Sequence, residues 1–170
     1  MNKILIFFAL LLIGTSCFSQ AKQLDLGDQA PRFNLPDQDG KTFSMKDSIG
    51  TKILVIFFYP KGENFLCTQE LCAFSDSINK FNNAGALVIG INQGNMADLK
   101  KFHQKHSLHY ELLSDSTGSV LNLFGVKENL FSDRVTYVVS ISGTVVFKSY
   151  SKTDGKKHVQ EVLKFLHELH

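Results

Sequence analysis

Seven consecutive residues, Ile53 to Tyr59, are apolar or aromatic with no polar interruption. A strand that alternates buries one face; one that does not alternate is buried on both. Such a strand belongs in the middle of a sheet with helices above and below it. A second run of this kind, AGALVIGIN from 84 to 92, follows a turn at Gly85. Between the two, Leu71, Phe74, Ile78 and Phe81 recur at helical spacing and predict one helix over 67–82. Asn95 is placed to cap a helix running to about Ser107, with Leu99 and Phe102 facing inward. Leu112-Leu113 reads as a short extended piece before an SDSTG turn, and Ser119 to Phe124 as a short helix. RVTYVVSISGTVVFKSY reads as two strands joined at Ser142-Gly143, and a last amphipathic helix carries Val159, Val162, Leu163, Leu166 and Leu169. Near the start, Phe33 to Leu35 and Lys41 to Phe43 flank DQDG and predict a hairpin turning at Asp39-Gly40. The fold class that this order predicts is α/β: a three-layer α/β/α domain with a central mixed sheet and an N-terminal β-hairpin.

At 170 residues one such domain is expected, and 44% hydrophobic residues with 15 Phe can fill its core. The formal charge of +2 is dispersed. No basic stripe points to nucleic acid and no acidic tail to a disordered partner arm. Asn2 and Lys3 precede ten apolar residues, Ile4 to Ile13, and then GTSCFSQ. That is the pattern of a secretory signal over 1–19, which leaves the domain at 20–170. The apolar run is half of the roughly 20 residues that cross a bilayer, so no permanent membrane span is expected. The expected location is outside the cytoplasm, in the periplasm. The alternative is a lipoprotein anchored through Cys17, because Thr15-Ser16-Cys17 resembles the end of a lipoprotein box, although Gly14 stands where Leu is preferred.

Pro60, Lys61 and Gly62 end the first strand, and Cys67 opens the helix, five residues before Cys72. A thiol in the first turn of a helix lies at the positive end of its dipole, beside unpaired N–H groups. That setting lowers a thiol pKa from about 8.5 toward neutrality and makes the reactive thiolate available. In an open sheet of this kind, ligands sit beyond the carboxyl ends of the central strands, where Pro60 to Cys67 lies. Other readings of the pair stay open at this point: a structural disulfide in an oxidising compartment, or metal binding by Cys67, Cys72 and a histidine. His103, His106 and His109 recur every three residues, which reads first as a solvated helix face, and His167 and His170 as a frayed C-terminal end. A Cys-x-x-Cys pair, the mark of a thioredoxin-type reductase, is absent from the sequence. Thr68 and Glu70 read as stabilisers of the helix N-terminus, and the Phe-rich stretches read first as core, with Phe57, Phe58 and Phe65 as alternative candidates for pocket walls.

Four segments, in order, resemble the peroxiredoxins, nearest to the peroxiredoxin Q or bacterioferritin-comigratory-protein subfamily on a thioredoxin-like fold. They are GDQAPRFNLPDQDGKTFSM at 27–45, FFYPKGENFLCTQELCAF at 57–74, ELLSDSTGSVLNLFGV at 111–126 and RVTYVVSISGTVVF at 134–147. The resemblance implies that Cys67 is the peroxidatic cysteine and that Cys72 is the resolving cysteine, closing an intramolecular disulfide. It makes Arg134 the residue that holds the thiolate and polarises the peroxide, and Pro60 the residue that shapes the loop. Asn64 and Phe65 stand where the family has Thr or Ser and then Pro. An amide offers both a donor and an acceptor, so Asn64 is the candidate for the hydroxyl's role; Phe65 adds apolar bulk suited to larger hydroperoxides. The implied substrates are hydrogen peroxide or organic hydroperoxides, with no metal or organic cofactor, a thioredoxin-like dithiol as reductant, and a monomer. From a different class, the same fold also carries non-catalytic and copper-carrying modules, with their cysteines usually closer together.

Residues five apart on an unbroken helix have Cα atoms about 8–9 Å apart, whereas a disulfide needs them within about 7 Å. The reduced form is therefore expected to hold this helix folded, and the oxidised form to melt its start.

Overall fold

The computed structural model describes residues 22–61, 65–126, 134–151 and 154–169; of 65–67, 151 and 155 it describes the backbone alone. The leader expected at 1–19, Cys17 and Asn64 lie outside the described residues. No helix among those described is long and apolar enough to cross a membrane.

The predicted central strand forms β3 (Ile53–Phe58) and the second apolar run forms β4 (Ala86–Asn92). They pair in parallel, as two strands joined by a helical crossover must, with Ile56 opposite Ile89 and Phe57 opposite Gly90. β5 (Glu111–Ser114) extends the parallel set beyond β4. On the other side of β3, β6 (Arg134–Val139) runs antiparallel, followed by its hairpin partner β7 (Val145–Ser151). The five-stranded order is β5-β4-β3-β6-β7, a mixed sheet. A separate two-stranded hairpin, β1 (Asn34–Pro36) with β2 (Thr42–Ser44), precedes it. Its turn uses Gly40 at φ +82°, and Asp37 Oδ1 accepts from the Asp39 and Lys41 N–H groups.

The sheet is covered on both faces, which is why β3 reads as an unbroken apolar run. Leu54, Ile56 and Phe58 point to one side, against Phe33, Met45, Val120 and Phe124. Val55, Phe57 and Tyr59 point to the other, against Leu71, Phe74, Leu99 and Val162. The first layer holds the hairpin with α1 (Met45–Ser48) and α5 (Ser119–Leu123). The second holds α2 (Phe65–Asp76), α3 (Ile78–Asn83), α4 (Met96–Lys105) and α6 (Gly155–Glu168). This is the expected three-layer arrangement.

Two helices correct the sequence reading. The single helix expected over 67–82 begins at Phe65 and is interrupted at Ser77, so α2 and α3 are separate. The apolar spacing runs straight through the break, because both pieces bury the same face against β3 and β4. The helix from Asn95 is capped as expected, Asn95 Oδ1 accepting from Asp98 N at 2.9 Å, but it ends at Lys105. His106 and His109 therefore share no continuous helix face with His103.

Candidate active site

The site assembles where β3 ends. Tyr59 N still donates to Ile91 O beyond the last strand residue, and Pro60 follows, half-buried. The chain re-enters regular structure at Phe65, so Cys67 occupies the first turn of α2, where backbone N–H groups lack intrahelical partners. Arg134 opens β6. Because Val135 lies opposite Phe58, Arg134 is level with the segment leaving β3. The period of two along β6 sets Arg134 and Val138 on the same side, the face that carries α2. Strand register and helix start thus bring the predicted arginine and the predicted cysteine to one end of one face.

The residue that receives Arg134 is Glu70. It lies three positions after Cys67, hence one turn along and on the same side of α2. Its carboxylate is fully buried, and Oε2 pairs with Arg134 Nε at 2.7 Å. Oε1 accepts from His158 Nδ1 on α6, also at 2.7 Å. Arg134 is 3% exposed and His158 1%, so the three groups form a polar cluster sealed between α2, α6 and β6. The pairing explains how a carboxylate is tolerated in an otherwise apolar layer. It adds two buried partners on other elements to the reading of Glu70 as a stabiliser of the helix start. Neither Glu70's burial nor His158 was visible in the sequence, because the contact spans 88 positions; the one available signal was a glutamate at i+3 from the cysteine.

Cys72 is a free thiol, half-buried on the second turn of α2. Burial pushes its pKa up, and Asp76 adds to the rise. It is a protonated thiol at neutral pH, in contrast to what the helix start offers Cys67. Tyr110 stands beside it and donates its O–H to Leu71 O at 3.0 Å, tying α2 to the entry of β5. Burial pushes the Tyr110 hydroxyl well above the ordinary tyrosine range, with Tyr59, Glu70 and Cys72 contributing, so it stays a donor.

Phe57 and Phe58 follow the core reading and not the pocket-wall alternative. Phe58 faces the opposite layer, packed against Phe124 and Tyr137. Phe57 lies beneath α2, stacked on Phe74 at 4.5 Å and edge-on to Tyr110. Both are fully buried and serve as core. An uninterrupted apolar run carries no alternation to show which residues face which layer. His103 Nε2 donates to Tyr110 O at 3.0 Å, and His106 packs on the Phe102 ring at 4.4 Å, so neither is a bare solvated group. Among the described residues no three His, Cys, Asp or Glu side chains are grouped as metal ligands. An open cavity of about 360 Å³ lies between the end of β3 and α4, lined by Tyr59, Lys61, Asn92, Leu99 and Phe102 among others.

Residues 26–148 match the model of the AhpC/TSA family. The chain is 42% identical over 146 residues to a chloroplastic peroxiredoxin Q of Suaeda salsa, covering 84% of this chain and 68% of that protein. Its fold superposes with a TM-score of 0.81 on peroxidoxin BcpB of Mycobacterium tuberculosis, at 29% identity and over 87% and 99% of the two chains. A bacterioferritin comigratory protein of Xanthomonas campestris, whose alkyl peroxide reduction activity was studied, superposes at 0.73 with 26% identity over 80% and 90%.

Proposed function

We propose, from the premise that this chain belongs to the AhpC/TSA family and is a thiol-dependent peroxidase of the peroxiredoxin Q type, that Cys67 carries the peroxidatic thiolate. The thiolate attacks one peroxide oxygen, the O–O bond breaks, and a sulfenic acid forms while the departing oxygen leaves as water or an alcohol. Cys72 then supplies a thiol: its sulfur bonds to Cys67, and the sulfenic oxygen leaves as water. A thioredoxin-like dithiol reduces the resulting disulfide and regenerates both thiols. Arg134 holds the thiolate and offers N–H donors to the oxygen on which charge develops, as a fixed fork of donors suits. Pro60 shapes the approach, and Asn64 is assigned the donor and acceptor role of the family's hydroxyl.

The observation that carries this reading is the pinning of Arg134. The β6 register delivers its cation to the face of α2, and the buried Glu70, one turn from Cys67, fixes it there. A cation held in place beside a helix start is what a reactive thiolate needs at neutral pH. The protonated state of Cys72 suits a resolving thiol that waits for the first oxidation. Family membership favours this reading over a copper-carrying module of the same fold.

Export to the periplasm, a domain spanning 20–170 and a monomeric state complete the proposal. They are supported by the leader pattern and by the subfamily resemblance. The test is stopped-flow oxidation of the reduced protein by hydrogen peroxide and by cumene hydroperoxide, with Cys67→Ser alongside. Fast oxidation that disappears in the variant is the expected result; oxidation no faster than that of a free thiol would sink the assignment.

A further inference from the structure

His158 has no part in the mechanism above, yet it is 1% exposed and reaches Glu70 from the other end of the chain. The Glu70 carboxylate only accepts, so the proton in the 2.7 Å contact lies on His158 Nδ1. The opposite ring atom, Nε2, is buried without a hydrogen-bond partner among the described residues. A buried nitrogen left unsatisfied is unfavourable, and a Phe or Leu would fill the same space without it. Packing alone therefore does not account for a histidine here, whereas the Nδ1 contact does. It occupies Oε1 while Arg134 Nε meets Oε2.

An Arg–carboxylate pair left to itself tends to a two-pronged geometry, both oxygens against one edge of the guanidinium fork. We propose that His158 is a positioning residue for the peroxide reaction: by holding Oε1, it fixes the rotation of Glu70 and through it the plane of the Arg134 guanidinium presented to Cys67. The proposal rests on the assignment of Cys67 and Arg134 made above. Without His158, Glu70 turns both oxygens to the arginine, neutralises more of its charge and draws its donors away from the sulfur. Among the described residues, Tyr110 lies near enough for Glu70 to help raise its hydroxyl, together with Tyr59 and Cys72, and burial keeps Tyr110 and Cys72 protonated. On α6 itself Glu161 is engaged by Ser149, and Lys157 is exposed.

The test follows the mature protein in a Cys72→Ser background, where Cys67 is the only thiol left. Its alkylation by iodoacetamide is measured against pH, together with single-turnover oxidation by hydrogen peroxide. His158→Phe keeps the ring and removes the donor, and His158→Asn keeps an N–H at the Nδ1 position. In His158→Phe the alkylation midpoint is expected to rise by about one pH unit, with peroxide oxidation at pH 7 slowed about tenfold. In His158→Asn both are expected to return to within about twofold of the parent rate, less than a third of that shift. A purely structural role would lower the melting temperature and leave the midpoint and the rate per folded molecule where they were. That outcome, or an Asn variant as impaired as the Phe variant, overturns the proposal. Should His158→Phe not fold, His158→Gln, which moves the donor to the Nε2 position, is expected to show the same rise; a wild-type midpoint there counts equally against it. A parent protein whose Cys67 shows neither a lowered midpoint nor reaction with peroxide refutes the Cys67 assignment itself, and this proposal falls with it.

Discussion

Adding one equivalent of hydrogen peroxide to the reduced protein is expected to unravel the start of α2. Cys67 and Cys72 both lie within the helix Phe65–Asp76. On that helix their Cα atoms stand about 8–9 Å apart, beyond the roughly 7 Å that a disulfide tolerates. Closing the bond pulls Glu70 from its sealed cluster, exposes Leu71, which is fully buried, and breaks the Tyr110 hydrogen bond to Leu71 O. Disrupting the buried pair costs about 3 kcal/mol, uncovering a leucine about 2 kcal/mol, and the hydrogen bond about 1 kcal/mol. The cross-link returns about 2 kcal/mol by restricting the unfolded chain over so short a loop. The oxidised protein is then less stable by about 4 kcal/mol, which lowers the melting temperature by about 8–16 °C for a domain of this size. Phe74 stays stacked on Phe57 and limits the melting to the first turns. Differential scanning calorimetry of the two forms, with hydrogen exchange over residues 65–75, measures both effects. Equal or higher stability on oxidation, with protection unchanged across that segment, would refute the reasoning.

Three further outcomes follow from other parts of the molecule. Gly90→Ala sets a Cβ 2.7 Å from Phe57 Cζ and 3.0 Å from Leu112 Cδ2, against a ring already held by Phe74 and Tyr110; a loss of about 1–3 kcal/mol in urea unfolding is expected, and a loss below experimental error would show that the ring can move. Asp115→Ala removes the buried carboxylate whose Oδ2 accepts from the Val120 and Leu121 N–H groups at 2.9 and 2.8 Å. Two orphaned donors there are expected to cost about 3 kcal/mol, with Asp115→Asn, which keeps one acceptor, losing less in the same titration. For the Cys72 thiol the sign is upward: burial favours the neutral form, so in a Cys67→Ser variant its iodoacetamide alkylation at pH 7 is expected to be slower than that of a free cysteine, and to rise only above the ordinary thiol range. A Cys72 as reactive as a free thiol at pH 7 would mean that the second turn of α2 is open in the reduced state.

The architecture was legible because local signals agreed with the tertiary ones. The unbroken run at 53–59 demanded two covered faces, the Asp39-Gly40 turn set the hairpin, and Asn95 marked a helix start that the Asp98 N–H confirms. What stayed hidden depended on which side a residue faces or on a distant partner. Phe57 and Phe58 look alike in an all-apolar strand, yet one supports α2 and the other packs on Phe124. Glu70 looks like any helix-start acid until β6 and α6 bring Arg134 and His158 to it. Ser77 interrupts a helix whose buried stripe is continuous, because spacing reports the covered face and says nothing of the hydrogen-bond ladder beneath it.

The N-terminal hairpin has a consequence for the order in which the chain assembles. Gln38 Oε1 accepts from Leu112 N, and Asp37 bridges Leu113, so the outer side of β5 is occupied by a segment 74 positions earlier. At the opposite flank Gln29 bridges Thr144 across 115 positions, and the N–H of Gly27 reaches Val145 O. A stretch made early therefore closes contacts with strands made late. Loop closure over such spans is slow, so both flanks form at the end of folding. Until then the β5 side is an open template for strand addition, the state in which a sheet of this type is most exposed to aggregation. Refolding yield, rather than final stability, is the property that changes at Asp37 and Gln38 should alter most.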